Sequence, residues 1–483
     1  MQYLVIQRVM GMLLMIFSTT LLPPLAVSFI YRDGAELAFA IPLLITLATG
    51  LLLWLPVHNR RNDIRIREGF VIVTLFWLLL ALSGSLPLYL ADQPSLSFTD
   101  AFFESISGLT TTGATVLSGI DELPESIRYY RQQLQWLGGM GIIVLAVAVM
   151  PMLGIGGMQL YRAETPGPLK DSKLMPRISE TAKALWYIYL GLTVACAIAY
   201  WLAGMDAFDA IGHSFSTIAI GGFSTHDQNM GYFNNPAISA VAIVFMLLAG
   251  INFALHFVAW RNRSLRPIFG DAEVRAYFKV IMAVVVTTVI TLFATGSFST
   301  LKDTLHHGVF QAVSIATTTG FTTTGYTHWP LYLPVLLLMA AFIGGCAGST
   351  AGGMKVIRAL LLYKQGIREI FRLIHPAAIY PVKIGGKPTD DTVLNAVWGF
   401  FSLYVVSYAA LSLVMMGTGI DLVTAFSAVA ATMTNLGPGM GNVANNYAGL
   451  SATAKWVLCF AMLLGRLELF TLLVLFTRTF WRN

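Results

Sequence analysis

Thr317-Thr318-Thr319-Gly320-Phe321 is the stretch on which the fold turns. Three others share its plan: Thr110-Thr111-Thr112-Gly113-Ala114, Ala219-Ile220-Gly221-Gly222-Phe223 and Thr434-Asn435-Leu436-Gly437-Pro438. From Gly113 to Gly222, on to Gly320 and on to Gly437, the intervals are 109, 98 and 117 residues. Each stretch follows a short helix-like segment and precedes a long apolar one. Four similar units in one chain can surround a common axis, and a ring of Gly-permitted loops can offer backbone carbonyls to a dehydrated cation. The pattern points to a cation pore.

The composition agrees. Of 483 residues, 56% are hydrophobic and 11% charged, a balance foreign to soluble globular chains. Apolar runs long enough to cross a hydrocarbon core of ~30 Å recur. Ten spans are expected, near 9–30, 37–57, 70–91, 133–153, 184–204, 236–258, 276–297, 331–363, 393–417 and 455–477. Cys196, Cys346 and Cys459 are widely spaced in apolar surroundings, so neither a disulfide framework nor a metal cluster is expected. Cys196 and Cys459 read as packing residues.

The net charge of +6 has an explanation in topology. Most of the 30 Lys and Arg fall in the connections near 58–69, 159–183, 259–279 and 355–392 and at the two ends of the chain. Only Arg32, Arg128, Arg131, Lys302 and Lys455 fall on the opposite side, and Arg466 lies within a span. The positive-inside rule then places both termini in the cytoplasm. No nucleic acid partner is needed to account for the basicity. The N-terminal apolar stretch lacks a clear small-residue cleavage site and reads as a retained anchor.

After residues 1–69, a two-helix membrane segment, one plan repeats: span, short amphipathic segment, glycine loop, span. The expected units are 70–158, 159–258, 259–363 and 364–483. Asp100, Asp209, Asp303 and Asp421 stand near the starts of the short segments, where an acid caps free N–H groups and complements the helix dipole. Those segments are too short to cross a bilayer and should enter it and turn back, which is tolerated where protein or water covers the backbone. Gly139, Gly250, Gly345 and Gly465 follow the loop glycines by 26, 28, 25 and 28 residues, a second point of register. Close helix packing is the simpler reading of such glycines. The fold class expected is an all-α polytopic membrane protein: two leading helices, then four span–pore-helix–span repeats.

The four loops, the run Gly344-Gly345-Cys346-Ala347-Gly348-Ser349-Thr350-Ala351-Gly352-Gly353 and the intramembrane Arg466 resemble the Trk/Ktr/HKT superfamily of potassium transporters. Two leading spans, Ala101-Phe102-Phe103-Glu104-Ser105 and Gly154-Ile155-Gly156-Gly157-Met158-Gln159-Leu160-Tyr161-Arg162-Ala163-Glu164 narrow the resemblance to its bacterial TrkH branch. The resemblance covers essentially the whole chain. It implies four repeats around a pseudo-fourfold pore, potassium uptake across a bacterial inner membrane, a homodimer, and a cytosolic TrkA-type regulatory ring whose domains bind nucleotides. In that superfamily glycine in the first loop accompanies K⁺ transport and serine there accompanies Na⁺ passage, so Gly113 favours K⁺.

A potassium ion exchanges its water shell for oxygens that hold without trapping it, a role suited to backbone carbonyls. The expected coordinating carbonyls are those of Thr111, Thr112, Ile220, Gly221, Thr318, Thr319, Asn435 and Leu436. Gly113, Gly222, Gly320 and Gly437 supply the backbone angles a β-carbon would forbid. The short helices should aim their negative ends at the ion. The second loop lacks threonine before its glycine and the fourth reads Asn-Leu-Gly-Pro, so the ring is chemically uneven.

Residues 331–343 and 354–363 are helical in pattern, separated by ten small or polar residues. Gly344, Gly345, Gly348, Ser349, Thr350, Gly352 and Gly353 read either as a flexible intramembrane gate below the filter or as a close-packing interface; the family resemblance favours the gate. Arg466 reads as a positive barrier below the filter, able to contact the 344–353 run, or as one end of a structural salt bridge between repeats. Glu468 is a poor helical partner for it at i+2. Glu104, His213 and Gln311, each nine residues before a loop glycine, should buttress the loops. Asn252 and His256 share a helical face at i, i+4 and suit interhelical hydrogen bonding.

The rival function is a secondary transporter coupling K⁺ uptake to H⁺ or Na⁺. Such proteins favour inverted repeats and midplane ionisable groups, whereas these repeats all start from one side. Walker and His-Glu-x-x-His motifs are absent, so no enzyme is expected. Nucleotide control would come from a partner docked on the basic segments 159–183 and 355–392, which suit lipid headgroups equally.

Overall fold

A computed structural model describes residues 2–59, 66–141, 178–330 and 332–482. Helices Tyr3–Thr19 and Leu22–Tyr31 form one apolar stretch, and Glu36–Trp54 packs back along it. The two backbones meet at a glycine pair. A Cβ on Gly11 would lie 2.7 Å from the Gly50 carbonyl oxygen, and one on Gly50 2.9 Å from that of Gly11. Small residues permit the same close crossing in other membrane helix pairs.

Four helical units follow. The first holds Ile66–Leu90, the short helix Phe98–Leu109, and Glu125–Trp136, which passes into a π turn at Leu137–Gly141. The second holds Ile178–Leu202, Ala207–Ala219, Pro236–Ala249 and Phe253–Asn262. The third holds Ala272–Ala294, Leu301–Ala316, Tyr332–Ile343 and Val356–Ile374. The fourth holds Asp391–Gly417, Leu422–Met433, Ala452–Arg466 and Leu469–Leu473. A two-residue hairpin, Lys383–Ile384 with Lys387–Pro388, lies between the third and fourth.

This is the expected all-α polytopic architecture. Among the described residues six helices are long and apolar enough to cross a membrane, or eight if two bent pairs each count as one span. The expected span 133–153 and the connection 159–183 lie largely outside the described residues, as does the Gly154–Glu164 stretch. Apolar side chains such as Leu44, Leu52, Met282, Ile290, Val406 and Leu413 point outward from the spans. Inside, one core joins the leading helices with the first and fourth units, and a second joins the second and third. The first and fourth units are thus neighbours, as a closed ring requires.

Two expected spans are broken. Pro236–Ala249 and Phe253–Asn262 meet at 94°, and Ala452–Arg466 and Leu469–Phe476 at 116°. At the first break Asn252 leaves the helix and caps the next one, its side chain accepting the Ala254 N–H at 2.8 Å. The face expected to join Asn252 and His256 therefore does not exist; His256 Nε2 instead bonds the Leu248 carbonyl at 2.9 Å across the break. At the second break Glu468 takes a positive φ of 57°. In the third unit the break falls where the glycine run stands, and the helix after it starts at Val356 and runs to Ile374, beyond the expected end.

The short helices begin in capped turns, though not quite as expected. Asp421 is itself the cap, accepting from the Thr424 N–H at 3.0 Å. Asp206, not Asp209, caps the second. Asp100 and Asp303 sit third in the helix and accept the hydroxyls of the caps Ser97 and Thr300, each at 2.7 Å. The cap hydroxyls in turn accept the Asp100 and Asp303 N–H groups at 3.2 and 3.1 Å.

Candidate ion pathway at the glycine ring

The four short helices end identically. The N–H groups of Thr112, Gly221, Thr319 and Leu436 reach back five residues to the carbonyls of Ser107, Ser216, Ser314 and Ala431, at 2.9, 2.8, 2.8 and 2.8 Å. This is the Schellman ending, which demands a left-handed residue just before. Glycine is the usual occupant, but here the positions are Thr111, Ile220, Thr318 and Asn435, with φ of 54°, 55°, 66° and 54°. Three of the four are β-branched, and a left-handed β-branched residue is an outlier held only by its surroundings.

Two residues later Gly113, Gly222, Gly320 and Gly437 have φ of 79°, 80°, 81° and 95°. The residues between are not left-handed, so the hand of the backbone alternates through each loop. The glycines also close a circle. A Cβ on Gly113 would overlap the carbonyl oxygen of Gly221, one on Gly222 that of Thr319, and one on Gly320 that of Leu436. One on Gly437 would lie 2.6 Å from that of Thr112 and completes the cycle. Each loop packs its glycine on the carbonyl before the next loop's glycine.

All four glycines line a single cavity of about 380 Å³ with residues that follow them, including Thr115, Ser224, Thr322 and Pro438. The other side of the ring is covered. There the left-handed residues all reach the 344–353 run or Arg466. Gly352 N–H donates to Thr318 Oγ1 at 2.7 Å. Ile220 clusters with Ala249 and Ala351. Arg466 Nη1 donates to Thr111 Oγ1 at 3.3 Å. A Cβ on Gly352 would lie 3.1 Å from Asn435 Cβ and overlap the Thr434 carbonyl, and Gly353 N–H donates to that carbonyl at 3.0 Å.

The 344–353 run is pinned on every flank. Cys346 N–H donates to the Gly250 carbonyl at 2.9 Å, and the Gly348 carbonyl accepts from Phe253 N–H at 3.0 Å. Both partners flank the break in the second unit. Thr350 is fully buried, with its hydroxyl on the Ile218 carbonyl at 2.8 Å. Gly344, Gly348 and Gly353 have φ of 68°, 73° and 69°. Gly345 packs its α-carbon against Ala351, and Ser349 Oγ donates to the Cys346 carbonyl at 2.6 Å.

Arg466 ends its helix and spans the units. Its guanidinium donates to the Thr350 carbonyl at 3.4 Å, to Gly139 at 2.6 Å and to the Gly138 carbonyl, and lies 5.6 Å from the Trp77 ring centre. The expected contact between Arg466 and the glycine run is present. Glu468 pairs elsewhere, with Arg358 at 2.7 Å.

The buttresses are uneven. Glu104 accepts from Thr115 Oγ1 and Val116 N–H at 2.9 Å and from Arg131 at 2.8 Å; acid and base are 0% and 1% exposed. Arg131 also donates to the Ser224 carbonyl at 3.0 Å and stacks 4.4 Å from the Phe223 ring centre, tying first loop to second. His213 bonds Ser224 Oγ at 2.9 Å. Gln311 departs from expectation: it is buried and its amide has no hydrogen bond among the described residues. Cys196 and Cys459 are buried free thiols, as packing residues would be.

Sequence reasoning missed Gln135, whose amide donates to the Gly221 carbonyl at 2.6 Å and accepts from Phe223 N–H at 3.0 Å. The signal was present: Arg131, Gln132, Gln133 and Gln135 are polar around the start of the expected span 133–153, and all four are buried.

Residues 35–482 match the family model TrkH, described as cation transport protein. The chain belongs to the TrkH family. It is 56% identical over 485 residues to the Trk system potassium uptake protein TrkH of Vibrio parahaemolyticus, covering 100% of both chains. Against the protein of the same name from Escherichia coli strain K12 it is 55% identical over 483 residues, again with 100% of both covered. The crystal structure of the potassium transporter TrkH from Vibrio parahaemolyticus superposes with a TM-score of 0.91 at 53% identity and 100% coverage of each chain. TrkH family members are cation transport proteins, and a ring of carbonyl-bearing loops suits that class better than covalent chemistry.

Proposed function

We propose that the protein takes up potassium across the bacterial inner membrane through a gated, carbonyl-lined pathway, with both termini in the cytoplasm. The carbonyls of Thr111, Thr112, Ile220, Gly221, Thr318, Thr319, Asn435 and Leu436 replace the ion's water shell. Gly113, Gly222, Gly320 and Gly437 let the loops approach. The observation that carries this reading is the cyclic packing of each glycine on a carbonyl of the next loop, because it brings four equivalent carbonyl-bearing turns around one axis. Four Schellman endings add the negative ends of four helices there.

The gate is the 344–353 run together with Arg466. With Thr350 fully buried and Gly352 against Thr318 and Thr434, the run fills the space on one side of the ring. Arg466 adds a positive charge that a cation must pass or displace. The units 70–158, 159–258, 259–363 and 364–483 each supply one loop; the third owns the movable segment and the fourth its arginine. Control comes from a cytosolic nucleotide-binding ring of the TrkA type acting on a homodimer. Its docking face is the basic helix Val356–Ile374 and the segment 159–183, of which 159–177 lie outside the described residues.

The test is the reversal potential of the purified protein in liposomes under K⁺, Na⁺ and pH gradients. A potential tracking K⁺ alone is expected. A fixed dependence on H⁺ or Na⁺ gradients would replace the pore with coupled transport. Arg466→Ala should raise K⁺ flux in the absence of the partner; a folded Arg466→Ala protein with no gain would mark the arginine as a structural tie.

A further inference from the structure

The gate loop is held from a helix that sequence gave no reason to single out. Glu273 lies in the first turn of Ala272–Ala294, the opening span of the third unit. Its backbone N–H is satisfied locally, donating to Asp271 at 2.9 Å. Its carboxylate turns away to other elements. One oxygen, Oε1, accepts the N–H of Ala347 at 2.7 Å and the N–H of Ile357 at 3.0 Å.

Those two donors belong to different parts of the chain. Ala347 is inside the 344–353 run, next to Cys346. Ile357 is the second residue of helix Val356–Ile374, whose first turn has orphan N–H groups like any helix. Its own cap position is Lys355, at φ 78°, which makes no side-chain cap bond. Glu273 therefore caps that helix from another helix and places a carboxylate at its positive end. Lys355 answers from the same turn: its Nζ donates to the Ala351 carbonyl, a second hold on the run. Beyond it, Arg358 joins Glu468 at 2.7 Å and lies 4.1 Å from the Phe400 ring centre.

The far end of Val356–Ile374 carries exposed apolar and basic side chains, with Arg368 paired to Asp391 and Arg372 to Glu369. Lys364, Arg368 and Arg372 alternate with the exposed Tyr363, Ile370 and Phe371, a basic amphipathic surface. A displacement of this helix moves Ile357, and through one shared acceptor it also moves Ala347. We propose that Glu273 is a positioning residue that couples helix Val356–Ile374 to the intramembrane gate, holding the run across the pathway until that helix shifts. This rests on reading the 344–353 run as the gate.

Cys346 is a native reporter, fully buried beside Ala347. In a Cys196→Ser/Cys459→Ser background in liposomes, two quantities are read without partner protein: ⁸⁶Rb⁺ flux, and labelling of Cys346 by a charged methanethiosulfonate. Glu273→Ala should raise both by roughly tenfold, the population change expected when both hydrogen bonds to Oε1 are lost. Glu273→Gln keeps an oxygen acceptor and should stay within about twofold, since the hydrogen bonds rather than the charge hold the run. Glu273→Asp, one methylene shorter, should lie between, and it serves if the alanine variant fails to fold.

Arg466→Ala runs alongside. If Arg466→Ala raises flux while Glu273→Ala and Glu273→Asp leave flux and Cys346 labelling unchanged, Glu273 is a helix cap alone and the coupling is wrong. If Arg466→Ala also leaves flux unchanged in folded protein, the gate reading itself falls and takes this inference with it.

Discussion

On one side of the glycine ring four loops leave their helices through the same ending; on the other, the described parts of the closing segments diverge. The first unit passes into a π turn at Leu137–Gly141 and the second bends by 94°. The third opens into the 344–353 run, and the fourth bends by 116° after Arg466. A site that surrounds a spherical ion gains from four equal backbone turns. A gate needs one element that moves against three that stay. The boundary between the two regimes is a single residue per loop, Thr111, Ile220, Thr318 or Asn435, whose backbone shapes the ring and whose side chain rests on the floor.

The comparison breaks first at the buttresses. Glu104 and Arg131 form a buried pair that joins first and second loops, and the equivalent fourth-unit position is Ala428. Glu104→Gln leaves Arg131 buried without its acid, a loss of about 3–5 kcal/mol. Thermal unfolding in detergent should show it as the largest drop among single ring-side variants. The paired change Glu104→Gln/Arg131→Gln should recover part of the loss.

The glycines come next. A methyl group at Gly113, Gly222 or Gly320 overlaps a neighbouring carbonyl, whereas Gly437 leaves 2.6 Å. All four also carry positive φ, which costs a non-glycine residue roughly 1–2 kcal/mol. Alanine at the first three should lower the K⁺ over Na⁺ permeability ratio about tenfold, and Gly437→Ala should lower it less. Equal effects at all four would mean that backbone strain, not contact with the neighbouring loop, sets selectivity. Gly113→Ser belongs to the same series and should raise Na⁺ permeation by pushing the Gly221 carbonyl aside.

A smaller effect sharpens the floor. Thr318→Val removes the acceptor for Gly352 N–H, a bond worth about 1 kcal/mol, and should raise partner-free flux several-fold. Thr318→Ser keeps the oxygen and should not. If both variants behave alike, the floor does not rest on that hydroxyl.

Much of this was legible in sequence because glycine is the residue that positive φ calls for, so the ring announced itself through Gly113, Gly222, Gly320 and Gly437. The glycine run showed itself in the same way. The breaks at Gly250–Asn252 and Leu467–Glu468 did not, because hydropathy registers apolar length and is blind to a hinge inside it. Counting Arg131 as a loop cation hid its burial beside Glu104. Gln135 was passed over inside an expected span, although polar residues there call for a partner. Glu273 fell in the expected connection 259–279 and was not singled out; its partners lie 74 and 84 residues on and only folding brings them near.

The smallest expected effect lies on the open side of the ring. His226 holds Asp209 through Nε2 at 3.0 Å and Asp121 through Nδ1, and an imidazole donates from both nitrogens only when protonated. Burial lowers its pKa, but the hydrogen bonds and charges of Asp209 and Asp121 outweigh burial and hold it above the ordinary 6.5. Its stabilisation is therefore complete below about pH 6.5 and is lost as pH rises through the higher folded value. Asp121 is 41% exposed, so solvent screening keeps the effect under about 1 kcal/mol. Thermal stability should fall slightly on the alkaline side, and His226→Gln should remove that step. His213, stacked 6.5 Å away and bonded to Ser224, is the control position.

The central claim is that four equal turns hold the ion. Anomalous diffraction from crystals grown with Rb⁺ or Tl⁺ tests it most directly. The account predicts a peak on the axis of the ring, within coordinating distance of the Thr112, Gly221, Thr319 and Leu436 carbonyls. Peaks lying only in the outer cavity, with none among those carbonyls, would contradict it.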